Sequence, residues 1–145
     1  MAENSSMEEL EENACRDLLK QHHFGRVAFV EQAGGTPVIM PVNYLMHGET
    51  VVFRTDPNSR LGSVLRSATA AFEIDGIDEP DRTGWRVVVS GRAEEVADPR
   101  ELDELRQTPL LPWAPGDRSQ YVAIRTELVT GRCISVADLP SNWWG

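Results

Sequence analysis

The chain has 145 residues, 41% of them hydrophobic and 26% charged, with a formal net charge of −9. That length and composition fit one globular domain with one real core. The acidic balance excludes general affinity for nucleic acid or anionic membrane, which needs a cationic footprint.

Cys15 and Cys133 are the only cysteines, far apart and without a disulfide-rich pattern. The first residues are not a basic leader followed by an apolar run. No apolar stretch approaches the roughly 20 residues of a membrane helix. A cytoplasmic protein is the expectation, built as a single domain over 1–145 with residues 1–5 flexible and 137–145 forming a C-terminal tail.

Taken in order, residues 6–21 read as a helix. Ser6 and Glu9 have capping-box spacing, and Met7, Leu10, Ala14, Cys15, Leu18 and Leu19 make one apolar side. Cys15 on that side is expected to be a buried thiol, not a nucleophile. His22 and His23 lead into a strand over Gly25–Val30. Adjacent histidines on an extended segment point oppositely, and only His47 remains as a third, so a metal site is not expected. Gly34-Gly35 turns the chain into Val38–Met46, where Pro41 requires a bend, a bulge or a sheet edge. His47-Gly48-Glu49 then turns into Val51–Thr55.

The stretch Val51–Leu61 organises the chain. Val51, Phe53 and Thr55 share one side of a strand, Val52 and Arg54 the other. Asp56 and Pro57 suit a helix cap and first helical position. Free N–H groups, the hydroxyls of Thr55 and Ser59, and the guanidinium groups of Arg54 and Arg60 therefore lie close in sequence. An anionic headgroup, most naturally a phosphate, matches that set.

The helix from Pro57 carries Leu61, Val64 and Leu65 inward. Thr69–Asp75 is a strand with small alanines that permit close approach, 76–84 a polar loop, and Trp85–Val96 a long strand of two unlike faces. Asp98-Pro99-Arg100-Glu101 starts a further helix. After a proline-rich loop over 108–117, Gln120–Val136 reads as one bent strand or two pieces meeting near Arg125-Thr126-Glu127. The tail carries Trp143 and Trp144, suited to covering a core, a ligand or a partner subunit. Six strands, short turns and three helices predict a mainly β, closed or nearly closed antiparallel barrel. No dinucleotide fingerprint, P-loop, zinc-protease or serine-hydrolase motif is present.

In this setting the chain resembles the pyridoxamine 5′-phosphate oxidase-like family of flavin-binding split β-barrels, especially its short actinobacterial-type and nitroimidazole-resistance-like members. The matching residues are Gly25-Arg26-Val27-Ala28-Phe29, Pro37 to Tyr44, Val52-Phe53-Arg54-Thr55 with Ser59-Arg60-Leu61, Trp85 to Ala93, Trp113 to Gly116, and Val129 to Arg132. The resemblance implies a six-stranded split barrel of Greek-key type with peripheral helices. It further implies a homodimer holding FMN in a cleft between subunits. Arg54, Thr55, Ser59 and Arg60 would then serve the ribityl side and phosphate. Pro41, Val42 and Asn43 would flank the flavin ring, with Arg86, Ser90 and Trp113 at the cleft. The family commonly has lysine where this chain has Arg60, which keeps the charge but changes its reach.

The function implied is an FMN-dependent oxidoreductase acting on a small organic substrate through flavin N5, since a flavin brings its own electron sink. Two alternatives remain: the deazaflavin F420 as cofactor, and a flavin-sequestering protein without turnover. Activity on pyridoxamine 5′-phosphate itself is not expected. Enzymes with that activity use a basic C-terminal segment, and this chain has no cationic group after Arg132.

Overall fold

The computed structural model describes residues 6–30, 34–59, 61–62, 69–110 and 118–135. Arg60, Trp113, Trp143 and Trp144, the segments 1–5 and 137–145, and the expected helix beyond Gly62 lie outside these residues.

The described strands are β1 (Ser6–Glu9), β2 (Phe24–Val30), β3 (Pro37–Asn43), β4 (Leu45–His47), β5 (Thr50–Thr55), β6 (Thr69–Asp78), β7 (Thr83–Glu95), β8 (Gln120–Arg125) and β9 (Leu128–Ser135). Two helices accompany them, α1 (Glu12–Gln21) and α2 (Pro99–Arg106). All pairings are antiparallel, in the order β3-β2-β6-β7-β8-β5-β4, with β9 also on β7 and β1 on β9. The sheet curls into a half-barrel, the mainly β antiparallel architecture expected.

Among the described residues nine strands stand where the sequence suggests six, for three local reasons. The run 38–46 divides at Tyr44, whose buried hydroxyl donates to the Leu19 carbonyl at 2.7 Å. Burial also pushes the ionisation of that hydroxyl up. The run 120–136 divides at Thr126-Glu127, giving the two pieces considered from its composition. Finally, Ser6–Glu9 is a strand, so a continuous 6–21 helix is incorrect. Pairing of Ser6–Glu9 with β9 satisfies backbone groups along that edge, and the Leu10 N–H adds a bond to the Gly131 carbonyl at 2.9 Å. Ser6 therefore does not begin the helix, and α1 starts at Glu12 without a side-chain cap.

Pro41 lies on β3, which pairs only with β2 along the main path, so its missing N–H falls on an edge. The expected 76–84 loop is also too long. Cross-strand pairing continues through Gly76↔Trp85, Ile77↔Gly84 and Asp78↔Thr83, leaving residues 79–82 as the turn.

β7 holds the half-barrel together. Its first part pairs with β9 and its last part with β8, while β6 follows its other edge. Gly91 sits at this handover, and a Cβ there would overlap the Arg125 carbonyl. Inward residues of this bent sheet, with Cys15 and Leu19 of α1, form the main core around Val27, Phe53, Phe72 and Val89. A second cluster of Val52, Val96, Leu105, Leu110 and Tyr121 lies beneath α2.

Cys15 is fully buried, as its place on the apolar side of α1 requires. Burial above all, then the neighbouring Glu12 carboxylate, pushes its thiol pKa up. Cys133 is half-buried. Under native conditions a thiol reagent should modify one cysteine per chain, and Cys133→Ser should remove that reaction. Rapid modification of both in folded protein would contradict the packing of α1.

Candidate functional site

β5 has the faces its alternation dictates. Val51, Phe53 and Thr55 are buried together on one side, while Val52 faces the cluster under α2. Arg54 follows Val52. Its Nε donates to the Arg118 carbonyl at 3.0 Å and its Nη1 to the Leu110 carbonyl at 3.2 Å. The guanidinium also lies 5.2 Å from the centre of the Tyr121 ring. Arg54 thus ties Leu110 to Arg118, on the opposite side of β5 from Thr55.

Thr55 and Ser59 do come together, their hydroxyl oxygens 3.3 Å apart. Ser59 Oγ donates to the Asp56 carbonyl at 2.7 Å and accepts from the Gly62 N–H at 3.0 Å. Ser59, rather than Asp56, thus accepts the N–H three residues ahead of it, as a capping side chain does. Asp56 instead accepts the Asn58 N–H at 2.8 Å and closes a turn. A Cβ on Gly62 would strike the Asp56 carbonyl, so this corner requires glycine to keep its tight approach.

A second group of expected residues gathers on the outer face of the sheet. Pro41 stands opposite Arg26, Arg26 opposite Glu73, and Asp75 opposite Arg86. Arg26 Nη1 reaches Glu73 Oε1 at 3.4 Å and Asp75 Oδ1 at 3.5 Å, which places these side chains on one surface. Asn43 shares this face with Pro41 by alternation, and Ser90 shares it with Arg86. Val42, opposite Gly25, instead packs towards the core. Desolvation, then the neighbouring Asp75, pushes the Glu73 carboxyl up, and Arg26 and Arg86 oppose that shift.

The same outer face carries apolar groups that nothing in the described chain covers. Ile39 is 68% exposed and Leu128 59%, with Val30 also exposed. Between Ile39 and Leu128 run Ala28, Ala71 and Ser90, directly opposite one another across the strands. The small residues make a shallow floor between two apolar rims.

Two cavities lie elsewhere. One of about 700 Å³ sits between the β4–β5 turn and α2, lined by His47, Glu94, Arg125 and Glu127 among others. His47 there meets Glu104 at 3.3 Å, and Arg125 meets Glu94 at 3.4 Å. The other, about 600 Å³, lies beside the β6–β7 turn and includes His22, Ile77, Trp85 and Cys133. Neither is lined by Pro41, Asn43, Thr55 or Ser59. Sequence reasoning missed the second cavity. Its walls come from β1, β6, β7, β9 and the end of α1, and only strand register brings them together.

A family model described as pyridoxamine 5′-phosphate oxidase matches residues 11–133. Uncharacterized protein Rv0080 of Mycobacterium tuberculosis is 38% identical over 135 residues, covering 90% of this chain and 86% of that protein. The structure of the FAD binding protein from Mycobacterium smegmatis superposes with a TM-score of 0.76 at 31% identity, covering 88% of this chain and 98% of that one. An FAD-binding protein from Mesorhizobium loti gives 0.72 at 23% identity, covering 89% and 99% respectively, a likeness of fold. With most of its length matched, from the start of α1 to β9, this chain belongs to the pyridoxamine 5′-phosphate oxidase family.

Proposed function

We propose that the chain is a flavin-dependent oxidoreductase acting as a homodimer, with the flavin held against the outer face of the sheet and enclosed by the second subunit. The observation that carries this reading is the convergence of Pro41, Asn43 and Arg86 on one surface, bordered by exposed apolar residues. That surface suits a planar ring with a polar edge. Asn43 has a buried side-chain oxygen able to accept a further hydrogen bond, and Pro41 presents a flat apolar wall. Arg86 can balance negative charge near the ring. Thr55, on a strand that touches β3, and Ser59, in the turn after it, suit the phosphate end together with Arg60. Arg54 serves as a positioning residue that holds Leu110 and Arg118 beside β5.

A bound flavin supplies reversible two-electron chemistry at N5. The chain's own residues orient the ring, exclude water from its face and set the charge around it. No acid–base pair is required of the protein, which agrees with the absence of a triad signature in the sequence.

FMN is the first reading of the cofactor and FAD the second. The likeness to the Mycobacterium smegmatis FAD binding protein, which spans nearly all of that chain, favours including FAD. F420 and a purely flavin-sequestering role remain competing outcomes of cofactor identification and turnover assays.

The dimer is tested at Ile39. Light scattering of the wild type should give twice the 16.2 kDa chain mass. Ile39→Asp places a charge in the apolar rim and should shift the population to monomer, with flavin lost in parallel. A wild-type monomer with full flavin content would defeat the shared-cleft arrangement.

A further inference from the structure

The 600 Å³ cavity beside the β6–β7 turn has a composition unlike the rest of the outer surface. Its aromatic wall is Trp85, while Ile77 and Ile134, opposite Gly84 in the register, edge it from the other face of the strands. Its carboxylates are Glu8, Asp75 and Asp78, and no lysine or arginine is among its lining residues. The Asp75 carboxylate is shared with Arg26 at 3.5 Å, and Asp78 accepts the Asp81 N–H at 3.1 Å. Glu8 has no ion pair among the described residues.

The aromatic wall is held in place from two sides. Trp85 lies so close over Gly76 that a Cβ there would fall 2.5 Å from the indole Nε1. The His22 ring packs on Trp85 with centroids 4.8 Å apart and a tilt of 51°. His22 Nδ1 donates to the Leu18 carbonyl at 2.8 Å, which fixes the orientation of the ring. An oriented aromatic surface and a carboxylate rim together favour a cation over a neutral or anionic guest.

We propose that this cavity is a second ligand site, separate from the flavin residues, and that it takes a small organic cation with a planar aromatic body. The planar part lies against Trp85, and the positive charge faces Glu8 and Asp78, which share the Trp85 face by register. The 700 Å³ cavity is also acidic, but it has no tryptophan, tyrosine or phenylalanine in its lining and it includes the cation Arg125, paired with Glu94.

Calorimetric titration of the purified protein with three probes of similar shape tests the proposal: N-methylquinolinium, neutral quinoline and quinoline-2-carboxylate. The cation should saturate with a Kd of about 1 mM or lower, about tenfold tighter than quinoline, and weaken as salt is raised. The carboxylate should show no saturation. In the E8Q/D78N double variant the cation should lose about tenfold while quinoline is unchanged. Trp85→Leu should weaken both. Folding of each variant is checked by its thermal transition, and the two rim substitutions, on exposed side chains, should leave it in place. Equal affinity for the three probes, no saturation by the cation, or the same cation affinity in E8Q/D78N would each overturn the assignment.

Discussion

Arg60→Ala is expected to weaken FMN about ten- to a hundredfold while changing riboflavin affinity by about twofold or less. Only FMN carries the phosphate that a guanidinium can grip. Arg60 is a sharper choice than its neighbour Ser59, whose hydroxyl caps Gly62 and bonds the Asp56 carbonyl. Ser59→Ala would remove those structural bonds along with any phosphate contact, at a cost of about 1 kcal/mol in stability. Equal losses for FMN and riboflavin in Arg60→Ala would move the residue's role from the headgroup to the ring or to folding. Differential titration of the two flavins by fluorescence quenching reads the difference directly.

Gly91→Ala should be the most damaging single methyl in the described chain. The added Cβ would overlap the Arg125 carbonyl oxygen and lie 2.9 Å from its carbon, both backbone atoms. Neither can yield without moving the corner at which β7 passes from β9 to β8. A loss of about 3 kcal/mol is expected, the upper part of the overpacking range. That corresponds to a melting point lower by about 10 °C for a domain of this size. The exposed Thr130→Ala on β9 should stay within about 0.5 kcal/mol of wild type under the same conditions. A Gly91→Ala protein with an unchanged transition would mean that the corner is not tightly built.

Much of this architecture is legible in local pattern. Alternation alone separates Val51, Phe53 and Thr55 from Val52 and Arg54, and the structure buries the first three together. The same holds for Val87 and Val89 against Arg86 and Ser90, while Pro41 correctly marks an edge. Local pattern fails where the deciding partner is distant in sequence. Ser6–Glu9 has helical spacing, yet an edge more than a hundred residues away takes it as a strand. Asp56 and Ser59 are both good caps, and the tight approach of Gly62 to the turn selects Ser59.

The candidate site divides in the same way. Pro41, Asn43 and Arg86 reach one surface through strand register, which their sequence spacing does not display. Arg54 looks like an anion ligand when only its neighbours are considered. Its Nε and Nη1 are engaged by carbonyls 64 and 56 residues further along the chain, which its neighbours in sequence do not reveal. The acidic, aromatic cavity around Trp85 escapes sequence reading altogether, because its residues belong to four strands and a helix end.

Release of the bound ligand from freshly purified protein, identified by mass spectrometry beside its visible spectrum, addresses the flavin assignment most directly. The account predicts FMN or FAD, with absorbance maxima at roughly 370 and 450 nm. A single band near roughly 420 nm with a deazaflavin mass, or a protein that neither carries a flavin nor takes one up when supplied with FMN and FAD, would contradict it.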